Sequence, residues 1–185
     1  MLFITPLILW TALSQAAFSG SFVPLMYSTM DASHSAWTSD EKLSMSLFAM
    51  IPLGAAEIIG GLVQGQISDK YGHRAGLYLV MVTGLVAFVV VLATIGVYDF
   101  SALTFFMTFA WGLQDACLCN FANCILAFEF ESKVTPFSVF KFSQSLFTFG
   151  FLVLASIIDD QVKFFIYFGS MAVIAALALT SMLFF

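Results

Sequence analysis

Charge is what this sequence has least of. Only 9% of its 185 residues are Asp, Glu, Lys or Arg, against about 25% in an ordinary soluble domain. That is too few to cover a water-facing surface, which excludes a soluble globular domain of this length. Bases are scarcest, with six Lys and Arg against eleven Asp and Glu and a net charge of −5. Without a basic patch to neutralise phosphates, nucleic acid is excluded as a partner. Cysteine and histidine are also few. Cys117, Cys119 and Cys124 lie in one apolar run. Cys117 and Cys124 share a helical face and Cys119 points elsewhere, which is no zinc spacing. Their expected role is as small buried hydrophobes. His34 and His73 have no metal-ligating neighbours in sequence. No metal or other cofactor is expected. With no Ser/His/Asp or Cys/His set and no phosphate-binding loop, an enzyme is not expected either.

What is abundant is apolar surface. Hydrophobic residues make up 61% of the chain, 23 of them Phe, and the mean hydropathy is +1.01. A helix crossing a bilayer needs about 20 mostly apolar residues. Runs of that length cover roughly 2–27, 44–67, 75–98, 101–128, 136–158 and 163–185. They are too long for strands and do not alternate. The expected fold is all-α, a polytopic transmembrane bundle of six helices in one domain spanning 1–185. The N-terminal run lacks a basic segment, so it reads as a permanent span rather than a cleaved signal.

The connections are short. Ser28–Leu43 holds most of the polar residues outside the membrane, Ser68–Arg74 is a tight charged turn, and Asp99-Phe100 is barely a loop. Glu129–Thr135 and Asp159–Gln161 close the last two. Call the N-terminal side A and the opposite side B. Side A carries Lys70, Arg74 and Lys133 with Lys141 close by, and side B carries Lys42 and Lys163. The positive-inside rule then places both termini in the cytoplasm or matrix.

Three charges fall inside the expected spans: Glu57, Asp115 and Lys141. Ionised groups at such depth cost a few kcal/mol and face the bundle interior or a wet cavity. Glu57 and Asp115 read either as part of a polar pathway for protons or a solute, or as interhelical ties. Gln114, Asn120, Asn123 and Gln144 can join Asp115 in a polar cluster, whereas Glu57 has fewer partners in sequence. Lys141 is near enough to side A to snorkel. Gly61 and Gly65 form a small-xxx-small pair suited to close helix contact.

The charged turn is the most specific feature. It runs Gly65-Gln66-Ile67-Ser68-Asp69-Lys70-Tyr71-Gly72-His73-Arg74. This resembles the signature loop of the major facilitator superfamily: Gly, three residues, Asp, a basic residue, one residue, Gly, then basic residues. Gly65, Asp69, Lys70, Gly72, His73 and Arg74 fall at the matching places, between the second and third helices. Trp111-Gly112-Leu113-Gln114-Asp115-Ala116, then Asn120 and Asn123, Phe128–Lys133 and Phe137–Ser145 are similar to the carboxyl-terminal half of uncoordinated-93-like proteins. Thr5-Pro6-Leu7 and Ala17–Phe22 resemble the start of that half.

The resemblance runs from about Pro6 to Ile158 and implies half of a major-facilitator-type fold, itself an inverted pair of three-helix units. Members of that family are not uniformly transporters; some regulate channels or accompany receptors. Two functions follow as expectations. One is a non-catalytic accessory or regulatory subunit scaffolding a larger membrane complex. The other is half of a solute or ion transporter, working as a homo- or heterodimer. Either way the expected partners are the lipid bilayer and other membrane subunits or a second copy. A third possibility is that the chain is one portion of a longer polypeptide.

Overall fold

A computed structural model describes residues 4–34, 36–128, 130 and 134–183. Among these residues the chain is helical with no strand. Six helices are long and apolar enough to cross a membrane: α1 (Thr5–Ser33), α2 (Ser39–Tyr71), α3 (His73–Val97), α4 (Ala102–Phe128), α5 (Val134–Ala155) and α6 (Gln161–Met182). The protein is an all-α, multi-pass membrane bundle. Hydrocarbon offers backbone amides no partner, so each run must satisfy its own N–H and C=O groups as a helix.

Helices α1 and α2 overrun their expected ends into charged residues, whereas α5 stops at Ala155, short of the expected 158. The long polar loop expected over Ser28–Leu43 is mostly helix, and only His34–Thr38 separates α1 from α2. Polar residues end the apolar run without ending the helix. Thr38 starts α2 with a reciprocal cap: its backbone N–H donates to the Glu41 carboxylate at 2.8 Å, and its hydroxyl accepts from the Glu41 N–H at 3.4 Å. Lys42 Nζ then reaches back to Asp31 at 2.6 Å and clamps the hairpin on side B. At the far end, α2 runs through Asp69 and Lys70 and stops at Gly72, whose φ of +83° suits glycine. Most of the loop expected over Glu129–Thr135, including Lys133, lies outside the described residues.

Two prolines interrupt the spans. Pro52 lacks the N–H that would bond Phe48, and α2 breaks at Ala49-Met50 before resuming at Ile51. Pro24 likewise leaves the Gly20 carbonyl without its usual donor, and Ala17–Ser21 relaxes into a π turn.

The core forms where α1, α3, α4 and α6 meet. Trp111 of α4 is its hub, fully buried. Its ring lies edge-on to Phe22 at 5.3 Å, Phe88 at 5.5 Å and Phe168 at 5.8 Å. Such pairs add about 0.5–1.5 kcal/mol each beyond area burial. Helices α2 and α5 flank this core, α2 against α4 and α5 against α1. The pattern has an internal symmetry. Exchanging α1 with α4, α2 with α5 and α3 with α6 turns the α2–α4 contact into α5–α1 and α3–α4 into α6–α1. The α3–α6 and α1–α4 contacts map onto themselves. The symmetry is incomplete, since among the described residues α2–α3 has no comparable α5–α6 contact.

The α2–α4 seam is the closest approach. A Cβ at Gly112 would run into the Leu53 carbonyl, and one at Gly60 would lie 2.7 Å from the Leu113 carbonyl oxygen. Gly61 is tight as well, its Cβ position 3.2 Å from Asn120 Nδ2. Gly65 does not take the part expected of it: a Cβ there meets nothing within 4 Å among the described residues. Gly112→Ala is therefore expected to destabilise the bundle by about 1–3 kcal/mol through backbone overpacking. Gly65→Ala should hold or raise stability, by up to about 1 kcal/mol from helix propensity. Thermal unfolding in detergent compares them, and equal losses would contradict the seam.

Candidate functional site

Asp115 stands at the midpoint of α4 (Ala102–Phe128) and is only 8% exposed. Its partner comes from α1: Ser14 Oγ donates to Asp115 Oδ1 at 2.6 Å. The same hydroxyl lies 3.3 Å from Gln114 Oε1, and Trp111 Nε1 donates to the Ser14 carbonyl at 3.3 Å. One turn on, Cys119 Sγ lies 3.9 Å from Asp115 Oδ2. The aromatic hub and the polar group are thus one assembly, with α4 presenting Trp111, Gln114 and Asp115 to a single residue of α1. The Gln114 amide nitrogen is buried and has no partner among the described residues.

Of the residues expected to join Asp115, Gln114 does so, and the others are not hydrogen-bonded to it among the described residues. Asn120 turns to α2 and donates to the Gly61 carbonyl at 3.3 Å, making a polar stitch in the glycine seam. Cys117 makes a parallel contact, 3.6 Å from the Gly60 carbonyl. Gln144, buried on α5, accepts from Lys141 Nζ at 3.0 Å. Asn123 is half-buried and is not hydrogen-bonded to the Asp115 group among the described residues. Glu57 is half-buried on α2 and makes no side-chain hydrogen bond among the described residues. Glu57 and Lys141 both lie within electrostatic reach of Asp115.

Lys141 is exposed on α5, one turn before Gln144, and its ammonium bonds within that helix. Helix α5 is tied to α1 by Thr148 Oγ1, which donates to the Ala12 carbonyl at 3.3 Å. Ser14 and Thr148 are the functional groups that sequence reasoning missed. A lone hydroxyl in an apolar helix carries no signal of what faces it.

The signature-like turn lies apart from Asp115, at side A. Asp69, Lys70, Gly72, His73 and Arg74 are all exposed, with Lys70 Nζ over the Tyr71 ring at 5.2 Å. Behind the turn is a partly open cavity of about 420 Å³, bounded by the turn, the end of α4 and the end of α6. On side B, Lys163 pairs with Asp159 and, at 3.6 Å, with Asp160. The Lys163 hydrogen bond holds the Asp159 carboxyl below its usual range. No family model, curated protein or solved structure matches the chain.

The Asp115 assembly joins α1 to α4 across the core. Ser14→Ala removes the O–H donor from a buried carboxyl and should cost about 1–3 kcal/mol. In a double-mutant cycle, Ser14→Ala should cost clearly less once Asp115→Asn is present. Additive losses in detergent melts would mean the two side chains do not act together.

Proposed function

We propose that this chain is a non-catalytic accessory or regulatory membrane subunit, built on one six-helix half of a major-facilitator-type, uncoordinated-93-like fold, that scaffolds a larger membrane complex. What carries the reading is the division of polar groups between core and flanks. In the core, Ser14 and Trp111 close the Asp115 assembly on itself. On the flanking helices, half-buried Glu57 and exposed Lys141 lie at membrane depth with no opposite charge paired to them among the described residues. Helix α5 is the least covered span, with 11% of its most apolar stretch buried against 61% for α1. Charged groups at that depth belong against protein or water rather than lipid. The side bearing α2 and α5 is therefore the docking side.

The inverted-repeat packing of α1–α3 against α4–α6 supports the half-fold. The distribution of bases supports both termini on the cytoplasmic or matrix side. Lys70, Arg74 and Lys141 are nearer side A, while the bases of side B, Lys42 and Lys163, are each tied to aspartates.

A second reading, half of a solute or ion transporter acting as a dimer, draws on one observation. Asp115 at mid-membrane has Glu57 and Lys141 within electrostatic reach, and beside it an amide with no partner among the described residues. Purification in mild detergent followed by liposome reconstitution separates the two. The subunit reading expects membrane proteins co-purifying in fixed ratio, lost on Glu57→Leu with Lys141→Leu. It also expects proton flux, followed by an entrapped pH dye, at the protein-free level. Flux well above that level, abolished by Asp115→Asn, would favour the transporter.

A further inference from the structure

The cavity behind the charged turn has no part in the docking side or the Asp115 assembly. We propose that it binds a zwitterionic phospholipid, taking the headgroup at the α2–α3 turn and the upper part of an acyl chain between α4 and α6. Its volume of about 420 Å³ falls within the usual range for ligand sites, about 300–1,000 Å³. Its wall is divided in kind. Asp69, His73 and Arg74 stand at one end, where α2 meets α3. Phe121, Ile125 and Met182 line it from α4 and α6, and Leu77 continues the apolar wall on α3. One polar end and one apolar end, at the level where the helices leave the hydrocarbon, match an amphiphile and match neither a polar solute nor a bare ion.

The charges select the head. Asp69 and Arg74 are of opposite sign, and among the described residues neither is in an ion pair. Arg74 offers a fork of N–H donors to a phosphodiester, and His73 lines the same end of the cavity. Asp69 in the same wall repels a second negative charge and attracts an ammonium. A head carrying both charges satisfies both residues, while a net anion leaves Asp69 opposed. This lipid site goes beyond the subunit reading and does not depend on it.

Cys124 lines the same cavity and lies within electrostatic reach of Asp69, so it reports occupancy. In the full chain with Cys117→Ala and Cys119→Ala, the maleimide labelling rate of Cys124 is measured in detergent micelles. Dioleoylphosphatidylcholine is expected to slow labelling several-fold. Dioleoylphosphatidylglycerol should slow it less, and dioleoylglycerol or inorganic phosphate should leave it unchanged. Arg74→Gln should remove the protection, and Asp69→Asn should bring phosphatidylglycerol up to phosphatidylcholine. Met182→Trp fills the apolar end without touching the charges and should also remove the protection, which keeps the test valid if Arg74→Gln fails to fold. Equal protection by dioleoylglycerol would overturn the headgroup assignment, and protection by phosphate alone would make this an anion site. No slowing by any lipid would overturn the proposal outright.

Discussion

Hydrocarbon around the helices removes two things that stabilise a soluble protein: water as a hydrogen-bond partner for the backbone, and the drive to hide apolar side chains. The first makes every span a helix. The second means that helices associate only through close packing, aromatic contacts and polar ties. Each appears here at a definite place. Gly60 and Gly112 let α2 and α4 touch backbone to backbone. Trp111 gathers Phe22, Phe88 and Phe168. Ser14 and Asp115 join α1 to α4.

These contacts are unevenly spread, and the imbalance shapes the functional reading. Helix α4 takes part in all three. Helix α5 has Thr148 bonded to the Ala12 carbonyl and little else of that kind, with most of its large side chains facing outward. The Cβ position of Gly20 does meet Leu152 of α5, but the neighbour there is a flexible side-chain tip at 2.6 Å rather than a backbone. The two flanking helices hold related places in the packing and differ in how tightly they are held. The looser one carries Lys141, exposed and bonded to Gln144 of the same helix.

Much of the fold was legible in the sequence because hydropathy reports the solvent directly. All six spans were readable for that reason. Their ends were not, since Asp31, Asp40, Lys42, Asp69 and Lys70 stop the apolar run while the helix continues into the polar boundary. The interruptions at Ala49 and Ala17–Ser21 follow from Pro52 and Pro24 and were readable in principle. Helix faces were harder. Helix α2 has Gly54, Gly60, Gly61 and Gly65, and which of them meets a neighbour depends on where α4 lies. Asp115 announced itself as a charge in an apolar run. Ser14, its partner 101 positions away, did not, and Asn120, expected beside Asp115, faces the Gly61 carbonyl instead.

The account stands on alternate traversal of a bilayer by six helices, which sets the turn at Arg74 and the turn at Asp99 on opposite faces. The most direct test places single cysteines at Arg74 and Asp99 in a cysteine-free chain and labels sealed vesicles with a membrane-impermeant maleimide. One position should react from outside and the other only after permeabilisation. Reaction of both from the same side would contradict the topology, and the docking side and lipid site would fall with it.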